Sequence, residues 1–144
     1  MKTIKKTKLF LVDDDALYLK VLENDFKNSD DFEIETYSTG EECVANLGNN
    51  PDIIVLDYYL DGINKSAMNG METLDRIKIE YPTLPVIMLS SQDSIEVAID
   101  CMHHKATDYV VKSETAFVRL QKIVTNILMY NKIETQLNWY MDRM

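Results

Sequence analysis

The sequence predicts an α/β fold: a three-layer sandwich with a five-stranded parallel sheet between two layers of helices. Three observations predict it. Short apolar runs alternate with helix-period segments along the whole chain. Two of those runs are apolar on both faces, as strands covered on both sides must be. The connections are short, and strand-helix alternation with short connections demands right-handed crossovers and a parallel sheet. At 144 residues the chain is sized for one domain, and its 46% hydrophobic content supplies a core. With four Gly and three Pro it does not read as disordered.

The elements follow in order. KLFLV, Lys8 to Val12, is the first apolar run and ends at Asp13-Asp14-Asp15. Ala16 to Lys27 then places Leu17, Val21, Leu22 and Phe26 at helical spacing, with Asp15 as N-cap. FEIETY, Phe32 to Tyr37, alternates with period two, as a half-buried strand does. Thr39 caps a short helix carrying Val44 and Leu47, which stops at Gly48-Asn49-Asn50-Pro51. DIIVLD, Asp52 to Asp57, is the second run apolar on both faces. A polar loop from Asp61 to Gly70 leads to a helix from Met71 to Glu80, with Leu74 and Ile77 inward. Pro82 and Pro85 bracket the turn into VIMLSS, Val86 to Ser91. Ser94 to His104 reads as a helix whose inward stripe is Ile95, Ala98, Ile99 and Met102. DYVVK, Asp108 to Lys112, is the fifth strand. A long helical pattern through Phe117, Leu120, Ile123, Ile127, Tyr130, Ile133, Leu137, Met141 and Met144 closes the chain.

Composition narrows the function. Fifteen Lys and Arg against 24 Asp and Glu give a formal net charge of -9. Such a surface repels phosphate backbones, so direct nucleic-acid binding is not expected. Cys43 and Cys101 stand far apart with no CxxC or His-rich partner, which argues against a disulfide framework or thiolate metal site. The N-terminal stretch MKTIKKTKLFLVDDD is basic, but its apolar run stops at three aspartates, unlike a signal peptide. No apolar stretch approaches bilayer length. The expectation is a cytoplasmic domain with no membrane partner.

In open parallel sheets, ligands bind beyond the C-terminal strand ends. The first strand ends in Asp13 and Asp14, the third in Asp57, the fourth in Ser90 and the fifth in Lys112. Three crowded carboxylates repel, and one or more has a raised pKa unless a cation intervenes. Hard oxygen ligands suit Mg²⁺, which shares its coordination shell readily with a phosphate oxygen. A carboxylate can itself be the nucleophile toward phosphorus, while Lys112 and the Ser90 hydroxyl stabilise charge on the transferring group.

These residues, in this order, resemble the receiver domain of two-component response regulators. LFLVDDD, DIIVLDYYL, Asn69-Gly70, PVIMLSS and DYVVK carry the resemblance, over Leu9 to Lys112 and by helix spacing to about Tyr130. It implies a flavodoxin-like sheet of order 2-1-3-4-5, with a receiver domain over residues 1–130. It also implies roles. Asp57 accepts a phosphoryl group from a sensor histidine kinase or phosphotransfer protein. Asp14 ligates Mg²⁺ directly and Asp13 through water, together with Asp57 and the Tyr59 backbone carbonyl. Lys112 pairs with the acceptor carboxylate. Ser90 and Tyr109 form the switch pair that repacks the face of the fourth helix, fifth strand and fifth helix. Tyr59 and Gln92 flank the path of the hydrolytic water, and a ring at Tyr59 predicts a long-lived phosphoform.

Three features depart from the family. Asp61 stands where Pro usually follows the acceptor, the loop to Asn69-Gly70 is longer through Gly62 to Ser66, and Ser113 replaces the Pro after the lysine. Residues 131–144 continue the helical spacing as an extension or linker stub. The extension, or the face of the fourth helix, fifth strand and fifth helix, offers a surface for a homodimer. The resemblance therefore predicts a phosphoacceptor switch that turns over no metabolite. Two rival functions stand beside it. One is a receiver-like interaction module without phosphorylation. The other is a Mg²⁺-dependent phosphatase using Asp57, which ordinarily needs a second carboxylate where Tyr59 stands. Taken singly, the residues have ordinary readings too: Asp15 as a cap, Tyr109 as edge packing, His103 and His104 as helix-end cations, and Met129, Met141 and Met144 as packing.

Overall fold

A computed structural model describes residues 5–144, so the four residues that open the basic N-terminal stretch lie outside it. Strands β1 (Thr7–Val12), β2 (Phe32–Tyr37), β3 (Ile53–Asp57), β4 (Val86–Ser90) and β5 (Asp108–Val111) form one sheet. All neighbours are parallel and the order is β2-β1-β3-β4-β5, as expected. Helices α1 (Ala16–Lys27), α2 (Gly40–Ala45), α3 (Gly70–Glu80), α4 (Ile95–His103) and α5 (Ala116–Asp142) cover it, with a 3-10 turn at Leu47–Asn49.

The two-faced apolar runs are explained by two separate cores. Successive strand residues point to opposite faces. Leu9 and Leu11 of β1 therefore join Val55, Leu89 and Val110 against α1 and α5, through Leu22, Phe26, Leu120, Val124 and Ile127. Phe10 and Val12 join Leu56 and Met88 against α2, α3 and α4, through Cys43, Leu74, Ile77 and Cys101. At the edge, β2 carries Glu33 and Glu35 and is only partly buried.

Caps set the helix starts. Asp15 Oδ1 accepts from the N–H groups of Leu17 and Tyr18, each at 3.1 Å. Thr39 accepts from Glu42 N–H at 3.1 Å. Asn69 and Glu72 form a reciprocal capping box on α3. Gly70 has no substitute there: a Cβ would fall 2.5 Å from the Asp57 carbonyl oxygen and 2.6 Å from that of Tyr58. This close approach seats the start of α3 against the end of β3.

Three helical faces differ from expectation. In α4 the buried residue is Cys101, with Val97 packed on the same core, whereas Ile95, Ile99 and Met102 are exposed. Apolar residues occupy more than half of this helix's circumference, so period alone cannot choose the inward arc. The choice falls to tertiary packing, in which Cys101 Sγ lies 3.8 Å from Met71 Sδ of α3. In α1, Leu17 and Val21 face solvent while Tyr18 and Leu19 pack inward beside Leu22 and Phe26. Leu47 is buried but sits in the 3-10 turn, leaving Cys43 as the buried side chain of α2. Finally, α5 is one continuous helix, and beyond Leu128 every large apolar side chain on it is exposed.

Candidate functional site

Strand register builds the site. Val12 pairs with Leu56, so the next residues, Asp13 and Asp57, stand level at adjacent strand ends. Asp57 pairs with Leu89 and Ser90 with Val111, which places Ser90 and Lys112 one residue further on. Asp13, Asp57 and Ser90 are 2%, 3% and 0% exposed.

Lys112 Nζ lies 2.8 Å from Asp13 Oδ2 and 3.4 Å from Asp57 Oδ1. The same ammonium stands 4.5 Å from the centre of the Tyr18 ring. Burial, reinforced by the charge of Asp13, pushes the Asp57 carboxyl up from 3.8 to about 7; Lys112 and the Tyr59 N–H pull the other way and lose. For Lys112, burial disfavours the charge, but Asp13 and Asp57 outweigh it and hold the pKa above its ordinary value.

Asp13, Asp14 and Asp57 each offer a carboxylate oxygen, and these atoms all lie within 4.8 Å of one another. Asp13 Oδ1 accepts from Asp15 N–H at 2.9 Å. Its Oδ2 is buried with no directional hydrogen bond, although Lys112 supplies counter-charge. Three carboxylates facing one ammonium leave the cluster with excess negative charge and fit a hard divalent cation such as Mg²⁺.

The rim is hydrogen-bonded too. Asp14 Oδ2 accepts from Ile63 N–H at 3.2 Å, so the long loop folds back onto the aspartates. A Cβ at Gly62 would lie 3.2 Å from Asp14 Oδ2 and 3.9 Å from the Tyr59 carbonyl oxygen, so the loop backbone passes close to the aspartates. The loop's far end is held by Glu41, whose Oε2 accepts from Met68 N–H at 2.9 Å. On the other side, Ser90 Oγ accepts from Gln92 N–H at 3.1 Å, and the Tyr109 hydroxyl donates to the Gln92 carbonyl. The backbone of Gln92 is thus gripped from both directions by Ser90 and Tyr109.

The structure brings Asp13, Asp14, Asp57 and Lys112 together as the sequence places them. Ser90 joins their strand ends, and Tyr109 reaches them through Gln92. Sequence reasoning missed the contacts of Tyr18 and Ile63. Tyr18 had a weak signal, an aromatic residue one helical turn after Asp14; Ile63 acts through its backbone, which residue type does not reveal.

Comparison with known proteins agrees with this geometry. Residues 9–125 match the response regulator receiver domain family. Over 99 residues the chain is 31% identical to the regulatory protein LuxO of Vibrio cholerae, covering 68% of this chain and 20% of that protein. It is 34% identical over 113 residues to protein-glutamate methylesterase/protein-glutamine glutaminase 2 of Rhodopseudomonas palustris, covering 76% of this chain and 29% of that enzyme. The chain thus spans well under half the length of these relatives. Among solved structures, the receiver domain of NtrX from Brucella abortus superposes with a TM-score of 0.74 at 25% identity, covering 84% of this chain and 98% of that one. The signal receiver domain of a putative LuxO repressor protein from Vibrio parahaemolyticus shares the fold, with a TM-score of 0.78 at 22% identity over 92% and 98% of the two chains. With the strand order, the acidic pocket and the family match in agreement, the chain belongs to the response regulator receiver domains of two-component signalling.

Proposed function

We propose that Asp57 is the phosphoacceptor of this receiver domain, taking its phosphoryl group from a phosphohistidine on a sensor kinase or phosphotransfer protein. The observation that supports this most strongly is a buried carboxylate 3.4 Å from Lys112 Nζ, flanked by two further carboxylates. An Asp57 oxygen forms the new bond to phosphorus as the phosphorus–nitrogen bond breaks, and that electron pair leaves with the imidazole. Asp13, Asp14, Asp57 and the Tyr59 carbonyl would hold Mg²⁺. When bound, the ion offsets the charge of the carboxylates and of the transferring group.

Lys112 stays at the acceptor and pairs with the phosphoryl oxygens. Ser90 turns its hydroxyl to donate to a phosphoryl oxygen and so releases Gln92 N–H. Gln92 is also the acceptor for Tyr109, so that release frees the ring to take the space Ser90 vacates. The change repacks α4, β5 and α5, the face presented to a partner or output segment. The chain acts in the cytoplasm and turns over no metabolite of its own. Among the described residues, no helix is long and apolar enough to cross a membrane.

The test is intact-mass analysis after incubation with Mg²⁺ and a small acyl-phosphate donor. Wild type gains one phosphoryl group, while Asp57→Asn, or wild type without the metal, gains none. Label on Asp57→Asn would mean another residue is the acceptor. No label on wild type, even from a phosphorylated kinase, would favour an interaction module that is not phosphorylated. In the same assay the adduct decays faster in Tyr59→Asn than in wild type, because the smaller side chain admits water.

A further inference from the structure

Lys112 is held by three contacts, and two of them compete with the chemistry it serves. Asp13 and Asp57, at 2.8 and 3.4 Å, belong to the same carboxylate cluster that fits a divalent cation. Loading that cluster draws on the oxygens that anchor the ammonium. The third contact is neutral. The Tyr18 ring presents its face to Lys112 Nζ with the centroid 4.5 Å away. Cation–π attraction operates within about 6 Å and strengthens where water is excluded. Here the Lys112 side chain is 17% exposed.

The ring is itself fixed. Tyr18 lies in the first turn of α1, packs against the core shared by α1 and α5, and gives its N–H to the Asp15 cap. Its position on α1 is therefore tied to the strand end that carries Asp13 and Asp14.

We propose that Tyr18 is a positioning residue for phosphoryl transfer, its ring face keeping the Lys112 ammonium directed at Asp57 while the carboxylates are engaged elsewhere. This inference rests on the phosphoacceptor reading. The ring, not the hydroxyl, makes the contact, so phenylalanine serves equally and an aliphatic side chain of similar size does not.

Wild type, Tyr18→Phe and Tyr18→Leu are labelled with the acyl-phosphate donor at saturating Mg²⁺, and initial rates are read by intact mass. Tyr18→Leu slows by about two- to thirty-fold, the range a cation–π contact supplies. Tyr18→Phe stays within about two-fold of wild type. Mg²⁺ affinity, followed by spectroscopic titration, is unchanged in both, which a general loosening of the fold would not allow. A second readout needs no variant: ring current from Tyr18 shifts the Lys112 ε-methylene proton resonances upfield in the full chain. Random-coil positions for those resonances in wild type would overturn the proposal. Equal rates for wild type and Tyr18→Leu, or an equal fall in Tyr18→Phe and Tyr18→Leu, would overturn it as well. A wild type that takes no phosphoryl group, from the small donor or from a phosphorylated kinase, defeats the phosphoacceptor reading first. Label on wild type with no slowing in Tyr18→Leu defeats the role of Tyr18 alone.

Discussion

Asp57 concentrates the conflict between stability and function in one side chain. Burial raises its carboxyl from 3.8 to about 7, so the folded state holds a proton that the unfolded chain has released. For an acid raised in this way, the stabilising contribution is present below the unfolded value. It is lost as pH climbs from about 4 through about 7. At pH 8 the folded protein therefore carries a buried charge that Lys112 compensates only in part. Asp57→Asn removes that charge and should stabilise the protein, in chelator at pH 8, by on the order of 2 kcal/mol. The gain should shrink at pH 5 and when Mg²⁺ is added, as read by denaturant unfolding. No gain at pH 8 would show that Lys112 already balances the site. The reactive set was readable in the sequence because each member stands at, or within two residues beyond, the C-terminal end of a strand whose pattern is unambiguous. Tyr18 was not, since a ring at a core-facing helical position looks like packing until the lysine above it is placed.

The elements carry their own prediction at the junction of α3 and α4. His104, the C-cap of α4, places Nδ1 at 2.7 Å from Asp75 Oδ1 on α3 and Nε2 at 3.7 Å from Asp100 Oδ1 on its own helix. The hydrogen bond to Asp75 raises the histidine's pKa above 6.5. A base raised in this way stabilises fully below its unfolded value, and the contribution is lost as pH rises through the folded one. The pair is well exposed, so the expected effect is small. Asp75→Asn should lower stability by roughly 0.2–1 kcal/mol at pH 6 and leave it unchanged at pH 9 in parallel unfolding curves. A loss that persists at pH 9 would assign Asp75 a role other than pairing with charged His104. The same helix shows where pattern reading stops. Ile95, Val97, Ala98, Ile99, Cys101 and Met102 offer two plausible inward arcs, and the sheet accepted the smaller side chains Val97 and Cys101. Ile95, Ile99 and Met102 are left exposed on the outer face of α4, the face proposed above to repack on phosphorylation.

At the scale of the molecule, α5 divides into a buried first half and an exposed second half. Ala116, Leu120, Val124 and Ile127 complete the core, while Tyr130, Ile133, Leu137, Tyr140 and Met144 remain exposed at alternating spacings of three and four. That spacing matches the apolar repeat of a coiled-coil seam. Removing residues 131–144 should therefore change unfolding free energy by less than about 1 kcal/mol, as for other surface changes away from the core. If the seam pairs two copies, the same truncation lowers the molar mass measured by light scattering, and an unchanged mass would leave the seam to another partner. Residue order alone dictated the alternation of strands and helices, the caps at Asp15 and Thr39, and the carboxylates, hydroxyl and lysine at the strand ends. Period, capping and turn chemistry act over a few residues, so they are written locally. Which arc of α4 turns inward, how the long loop returns to Asp14, and which ring meets Lys112 were decided by the folded structure. Each depends on contacts between residues far apart in the chain, and no local pattern encodes which of several sterically acceptable neighbours will be there.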